Sequence, residues 1–90
     1  MEATKTLRVK NNLGLHARAA AKIVELVKGH SAELYLSKDE QEVDGSSILS
    51  ILTLACPKGT EVRARAVGED SEKLLEELEI LFEDKFGEGQ

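Results

Sequence analysis

The chain opens on an alternation. Over residues 4–10, Leu7 and Val9 fall on one side and Thr6, Arg8 and Lys10 on the other, the period of a strand with one buried face. After the turn cluster Asn11-Asn12-Leu13-Gly14 the period lengthens. Ala20, Ile23, Val24 and Val27 recur at i, i+3, i+4 and i+7, which predicts a helix over Ala17–Lys28 with Gly29 as its stop. Alternation returns with Ala32, Leu34 and Leu36 against Glu33, Tyr35 and Ser37. Lys38-Asp39-Glu40 then forms a polar turn into a short third strand, Gln41–Asp44. Ser47 opens a short helix through Leu54, broken by Cys56-Pro57-Lys58-Gly59. Val62, Ala64 and Ala66 against Arg63 and Arg65 make the clearest strand of the chain. A last helix over residues 71–85 carries Leu74, Leu78, Leu81 and Phe82 as its apolar stripe, with acids outside. The tail Gly87-Glu88-Gly89-Gln90 reads as frayed.

The order is strand, helix, strand, strand, helix, strand, helix. One face of an antiparallel sheet can bury the apolar sides of all three helices, so the expected class is a two-layer α+β domain. Ninety residues make one such domain, residues 1–90, without repeats or linkers. No apolar run approaches the roughly 20 residues that span a bilayer, and residues 1–5 lack a signal-peptide core. Cys56 is the only cysteine, which fits a reducing cytoplasm. A net charge of −5 argues against nucleic acid as partner. Bases gather early, at Lys5, Arg8, Lys10, Arg18, Lys22 and Lys28, and acids late, from Glu69 to Glu88. The bland reading is solvated surface; the sharper one is a basic face around His16 that meets an acidic partner.

Gly14-Leu15-His16-Ala17-Arg18 carries the strongest chemistry. It places a histidine and then an arginine at the opening of an amphipathic helix. A helix start offers unpaired N–H groups and roughly half a positive charge. Histidine supplies a nucleophilic ring nitrogen, and arginine a forked donor set suited to phosphate oxygens. A phosphoryl group on His16 would face the first-turn N–H groups and the Arg18 guanidinium. Metal chemistry is not expected, because His30 and Cys56 fall in other segments with no ligand spacing. No Gly-x-Ser-x-Gly elbow is present, and no cofactor is called for.

Ser46-Ser47-Ile48-Leu49-Ser50-Ile51-Leu52 is the second candidate. Ser47 is a good N-cap, and a phosphate there would place about two negative charges at a helix start. Ile51, Leu54 and Ala55 fill one arc of the wheel, the expected core face. Leu49 and Leu52, with Ile48 at the border, fall largely outside it, which points to a docking patch. Cys56 reads as an inert, semi-buried thiol and Tyr35 as an ordinary strand residue.

Together these residues resemble the HPr family of the bacterial phosphoenolpyruvate-dependent phosphotransferase system, its nitrogen-related NPr branch included. Gly14-Leu15-His16-Ala17-Arg18 is similar to the family's active-site motif, and Ser47-Ile48-Leu49 with Leu52 to its regulatory-serine segment. Lys58-Gly59-Thr60-Glu61-Val62 is similar to the turn and strand that follow. The resemblance implies an open-faced sandwich, a four-stranded antiparallel sheet with three helices on one face. It implies that His16 takes a phosphoryl group from enzyme I on Nδ1 and gives it to an enzyme IIA domain, with Arg18 stabilising it. It further implies that Ser47 is the target of an HPr serine kinase, and that Leu15, Ile48, Leu49 and Leu52 dock partners. The sequence departs from the family at Ala19, where proline is usual, and at Ser50, where glycine is frequent.

The leading expectation is thus a phosphoryl relay, in sugar uptake or in regulation, rather than an enzyme with its own turnover. Ala19 and Ser50 lean toward the regulatory branch. A monomer suits a relay that meets successive partners. The alternative is a regulatory module that docks through the Ser47 helix without phosphotransfer, and retention of His16 argues against it.

Overall fold

The alternating segments pair into one sheet. The computed structural model describes residues 1–89, with strands β1 (Glu2–Arg8), β2 (Glu33–Lys38), β3 (Gln41–Asp44) and β4 (Glu61–Val67). They lie in the order β1-β4-β2-β3, and every neighbouring pair is antiparallel. Helices α1 (Ala17–Lys28), α2 (Ile48–Thr53) and α3 (Ser71–Glu83) form the second layer. α3 lies against β1 and β4, while α1 packs beside α2 and α3. This is the open-faced α+β sandwich expected from the sequence.

Register explains why one face is greasy and the other charged. Leu7 stands opposite Val62, Leu36 opposite Ala64 and Leu34 opposite Ala66, and all six are buried. Because side chains alternate across a pleated sheet, the residues between them point to solvent. Arg65 on that outer face sits over the Tyr35 ring at 4.5 Å and donates to both Glu42 oxygens at 2.9 and 3.0 Å. The inner face meets Ile23, Val24 and Val27 of α1, Ile51 of α2, and Leu74, Leu78 and Phe82 of α3 in one core.

Boundaries and faces differ from the sequence expectation at a few places. β1 begins at Glu2, two residues early, because β4 is long enough to pair with it there, Glu2 opposite Val67. α2 ends at Thr53, and Ala55 takes a left-handed φ of 53°, which turns it off the core arc and leaves it exposed. In α3 the buried stripe includes Leu75, whereas Leu81 is only half-buried.

The largest departure is the tail. Three successive residues with positive φ, Lys85, Phe86 and Gly87, end α3 and form a 3-10 turn. Left-handed backbone costs a non-glycine residue about 1–2 kcal/mol. Phe86 is fully buried and meets the Phe82 ring at a centroid distance of 5.0 Å, and burial of such a ring contributes about 2–3 kcal/mol. The Phe86 carbonyl also accepts from Lys22 Nζ. The tail is therefore docked through Glu88 rather than frayed; Gln90 lies outside the described residues.

Candidate functional site

The loop before α1 is built to present one side chain. Gly14 has φ +70°, and a Cβ there would collide with the Cys56 carbonyl oxygen, so only glycine fits. That close approach lets Leu15 N–H donate to the Cys56 carbonyl at 3.0 Å. Leu15 then sinks into the core, and Asn11, wholly buried, donates from Nδ2 to the Gly14 carbonyl at 2.7 Å. His16 follows as the N-cap of α1, extended at φ −79° and ψ −178°. Its carbonyl accepts from Ala20 N–H at 2.9 Å, and its Nδ1 accepts from Arg18 N–H at 3.3 Å. No acid occupies the first turn of α1, so nothing there offsets the positive end of the helix.

The far side of the ring is also held. His16 Nε2 pairs with the Glu88 carboxylate, and the other Glu88 oxygen accepts from Asn11 Nδ2 at 3.0 Å. A carboxylate only accepts and a backbone N–H only donates. The two partners therefore select the ring form with its proton on Nε2 and its lone pair on Nδ1. The bond from His16 holds the Glu88 carboxyl below the usual glutamate range; the Asn11 bond and the Arg18 charge add to this, and desolvation opposes it. Arg18 is exposed in the same turn, and among the described residues no acceptor holds its guanidinium. The imidazole and the first-turn N–H groups thus meet at Nδ1, with the exposed Arg18 in the same turn.

The remaining early bases do not form a free basic face. Lys5 pairs with Glu79 at 2.8 Å, Lys10 with Glu83 at 2.6 Å and Arg8 with Glu61 at 2.8 Å. Lys22 is spent on the Phe86 carbonyl. Two of these pairs, Lys5 with Glu79 and Lys10 with Glu83, join the early bases to the late acids across the fold.

The second candidate segment is where the sequence put it. Ser47 caps α2, its Oγ accepting from Ser50 N–H at 3.2 Å. Ile51 and Leu54 are buried, Leu52 is half-buried, and Ile48 and Leu49 stand out at 37% and 77% exposure. Residues 55–57, just after α2, line a shallow depression together with Leu13, Leu15 and His16. The surface around His16 therefore reaches the end of α2. Leu15 does not belong on its exposed part. It is 5% exposed, and the apolar side chain offered to solvent beside His16 is Leu13, at 67%. The Gly14 turn separates the two leucines, one inward and one outward.

Cys56 is buried, and desolvation pushes its thiol up. His30 caps the opposite end of α1, where its Nδ1 donates to the Leu26 carbonyl at 2.9 Å. Among the described residues no three histidine, cysteine or carboxylate side chains cluster as metal ligands. No helix among them is long and apolar enough to cross a membrane. Sequence reasoning missed Asn11 and Glu88. The available signal was Phe86, which continues the α3 stripe four residues after Phe82 and precedes a glycine.

A family profile described as "PTS HPr component phosphorylation site" matches residues 3–84. The phosphocarrier protein HPr of Xylella fastidiosa is 42% identical over 82 residues, covering 91% of this chain and 92% of its own. The phosphocarrier protein NPr of Escherichia coli K12 is 36% identical over 89 residues, 98% of this chain and 99% of its own. The crystal structure of HPr from Thermoanaerobacter tengcongensis superposes with a TM-score of 0.91 at 37% identity, covering 96% of this chain and 97% of that one.

Proposed function

The chain belongs to the HPr family, and from that premise we propose that His16 is the phosphoryl acceptor of a relay between enzyme I and an enzyme IIA-type domain. The observation that carries this reading is the Nδ1 lone pair held at the α1 N-terminus with Arg18 free beside it. Nδ1 attacks the donor phosphorus, the bond from phosphorus to the donor breaks, and the electron pair leaves with the donor. The transferred oxygens meet the first-turn N–H groups and the Arg18 guanidinium. A helix terminus contributes up to about 2 kcal/mol and each charge-assisted hydrogen bond roughly 1.5–3 kcal/mol. That holds the group while leaving it transferable. The acceptor domain then repeats the attack in the opposite direction, so the chain ends each cycle unchanged and needs no cofactor.

Ile48, Leu49 and Leu52, joined by Leu13 in the role expected of Leu15, supply the apolar docking surface beside the acceptor. Ser47 is the site for a serine kinase: phosphate there adds about two negative charges to the start of α2, favourable to that helix and unfavourable to an acidic partner. The relay works as a cytoplasmic monomer, because the same face must meet donor and acceptor in turn. Ala19 and Ser50 support a place in regulation over one in sugar uptake.

Incubation with phosphoenolpyruvate and enzyme I, followed by intact mass and an acid-lability test, decides the matter. One acid-labile phosphate, lost in His16→Ala, is the expected result. An unlabelled wild type would reduce His16 to a helix cap and leave the exposed Leu49 surface as a docking module without transfer.

A further inference from the structure

Glu88 lies 72 residues from His16 in sequence, yet its side chain is only 9% exposed and both its oxygens are engaged. Such burial of a carboxylate from a polar, glycine-flanked tail is unexpected without a purpose. The structure delivers it by an unusual route. The turn at Lys85, Phe86 and Gly87 reverses the chain after α3, and the buried Phe86 ring and the Lys22 contact hold that turn in place. Asn11 completes the arrangement. It is fully buried, its Nδ2 bridges the Gly14 carbonyl and Glu88, and its Oδ1 has no hydrogen-bond partner among the described residues. An orphaned amide oxygen is tolerated there so that both Nδ2 protons can be spent, one on the acceptor loop and one on the tail.

We infer that Asn11 and Glu88 are positioning residues for His16. Asn11 fixes the carboxylate, and the carboxylate fixes the ring plane and keeps the proton on Nε2, so that Nδ1 is presented as the nucleophile. The pairing also assists transfer, an assistance that rests on the relay reading above. When Nδ1 forms its bond to phosphorus and the donor leaves with the electron pair, the ring becomes a phosphoimidazolium that keeps its Nε2 proton. The Glu88 carboxylate stands against that new positive charge. When the group moves on, the electrons of the breaking bond between Nδ1 and phosphorus return to the ring and the charge disappears. The logic is that of a carboxylate behind a catalytic histidine, which orients the ring and stabilises the imidazolium without taking its proton. Here the carboxylate comes from the C-terminal tail.

The test uses the full chain and its Glu88→Ala and Glu88→Gln variants, with ring nitrogens observed by 15N NMR at about pH 8, where imidazole is largely neutral. In the wild type Nδ1 is expected to show the lone-pair signature and the Nε2 proton to exchange slowly. Glu88→Ala should move the two ring nitrogens toward each other and speed that exchange. Glu88→Gln, which keeps an acceptor oxygen, should stay close to wild type. The rate of phosphoryl uptake from enzyme I should fall roughly tenfold in both variants, because both lose the charge. Ring signals identical in wild type and Glu88→Ala overturn the positioning role whatever the rates. Altered ring signals with equal uptake rates overturn the assistance to transfer. Altered ring signals with no uptake by any form, wild type included, leave the positioning role standing and sink the relay reading instead.

Discussion

The starts of α1 and α2 are built from the same idea and put to different use. Each is capped by a side chain capable of carrying phosphate. His16 Nδ1 accepts from the second residue beyond it at 3.3 Å, and Ser47 Oγ from the third at 3.2 Å. Their surroundings diverge. His16 has an exposed arginine in the same turn and a carboxylate on the far side of its ring, which on the relay reading aim the acceptor atom. Among the described residues Ser47 pairs with neither, and the residues after it are Ile48 and Leu49, apolar and exposed. A helix start thus becomes a chemical site through what flanks the cap. The cap at Ser47 instead orders a six-residue helix that would otherwise be marginal, and through it the surface proposed for docking.

The largest effect comes from exchanging the caps. His16→Ala is expected to abolish acid-labile labelling, whereas Ser47→Ala leaves it complete, read by intact mass with enzyme I and phosphoenolpyruvate. Labelling that survives His16→Ala would erase the distinction between the two helix starts. The leucines either side of Gly14 give the next contrast. Leu15→Ala removes a core side chain and should cost about 2–4 kcal/mol in urea unfolding. Leu13→Ala should cost under about 0.5 kcal/mol yet weaken binding to enzyme I. Equal losses of stability would mean that both leucines are core.

Arg18→Ala tests what the α1 start has and the α2 start lacks. Loss of one charge-assisted contact should slow phosphoryl uptake by about 10- to 100-fold, with thermal stability unchanged because the side chain is exposed and unpaired. A wild-type rate would mean that first-turn N–H groups alone hold the phosphoryl group. At α2 the counterpart is stability: Ser47→Ala should cost about 1 kcal/mol by loss of the cap, measured by urea denaturation, with labelling unaffected.

How much of this was legible in the sequence follows the range of the forces involved. Strands and helices were set by local period, so Leu7, Val9, Ile23 and Val62 fell inward as their spacing required. His16 and Ser47 were legible because a cap is a contact across two or three residues. Glu88 was not legible, since polar residues between glycines carry the composition of a loose end, and what holds them is a phenylalanine in a backbone region that side chains disfavour. Nor could Leu13 and Leu15 be told apart, because a carbonyl at Cys56, some forty residues on, decides which way the Gly14 turn faces. The early bases and late acids read as solvated surface or, more sharply, as a basic face for a partner. Ion pairs such as Lys5 with Glu79 form only once α3 lies against β1, and local patterning carries no trace of that.

Ala19 offers the finest adjustment of the comparison. It is fully buried in the first turn of α1, the position at which the family usually carries proline. Its N–H belongs to the set with no intrahelical carbonyl, and on the relay reading it is one of the donors available to a phosphoryl group on Nδ1. Ala19→Pro removes that donor and stiffens φ, and proline is tolerated in a first helical turn. One neutral hydrogen bond is worth about 1 kcal/mol, so the phosphohistidine of Ala19→Pro should hydrolyse about fivefold faster than that of wild type. The measurement is the decay of the isolated phosphoprotein at neutral pH without partners. An unchanged rate would mean that Ala19 N–H does not reach the phosphoryl oxygens. The hold on the group would then rest on Arg18 and the other first-turn donors, and the difference between the two helix starts would narrow to the arginine and the carboxylate behind the ring.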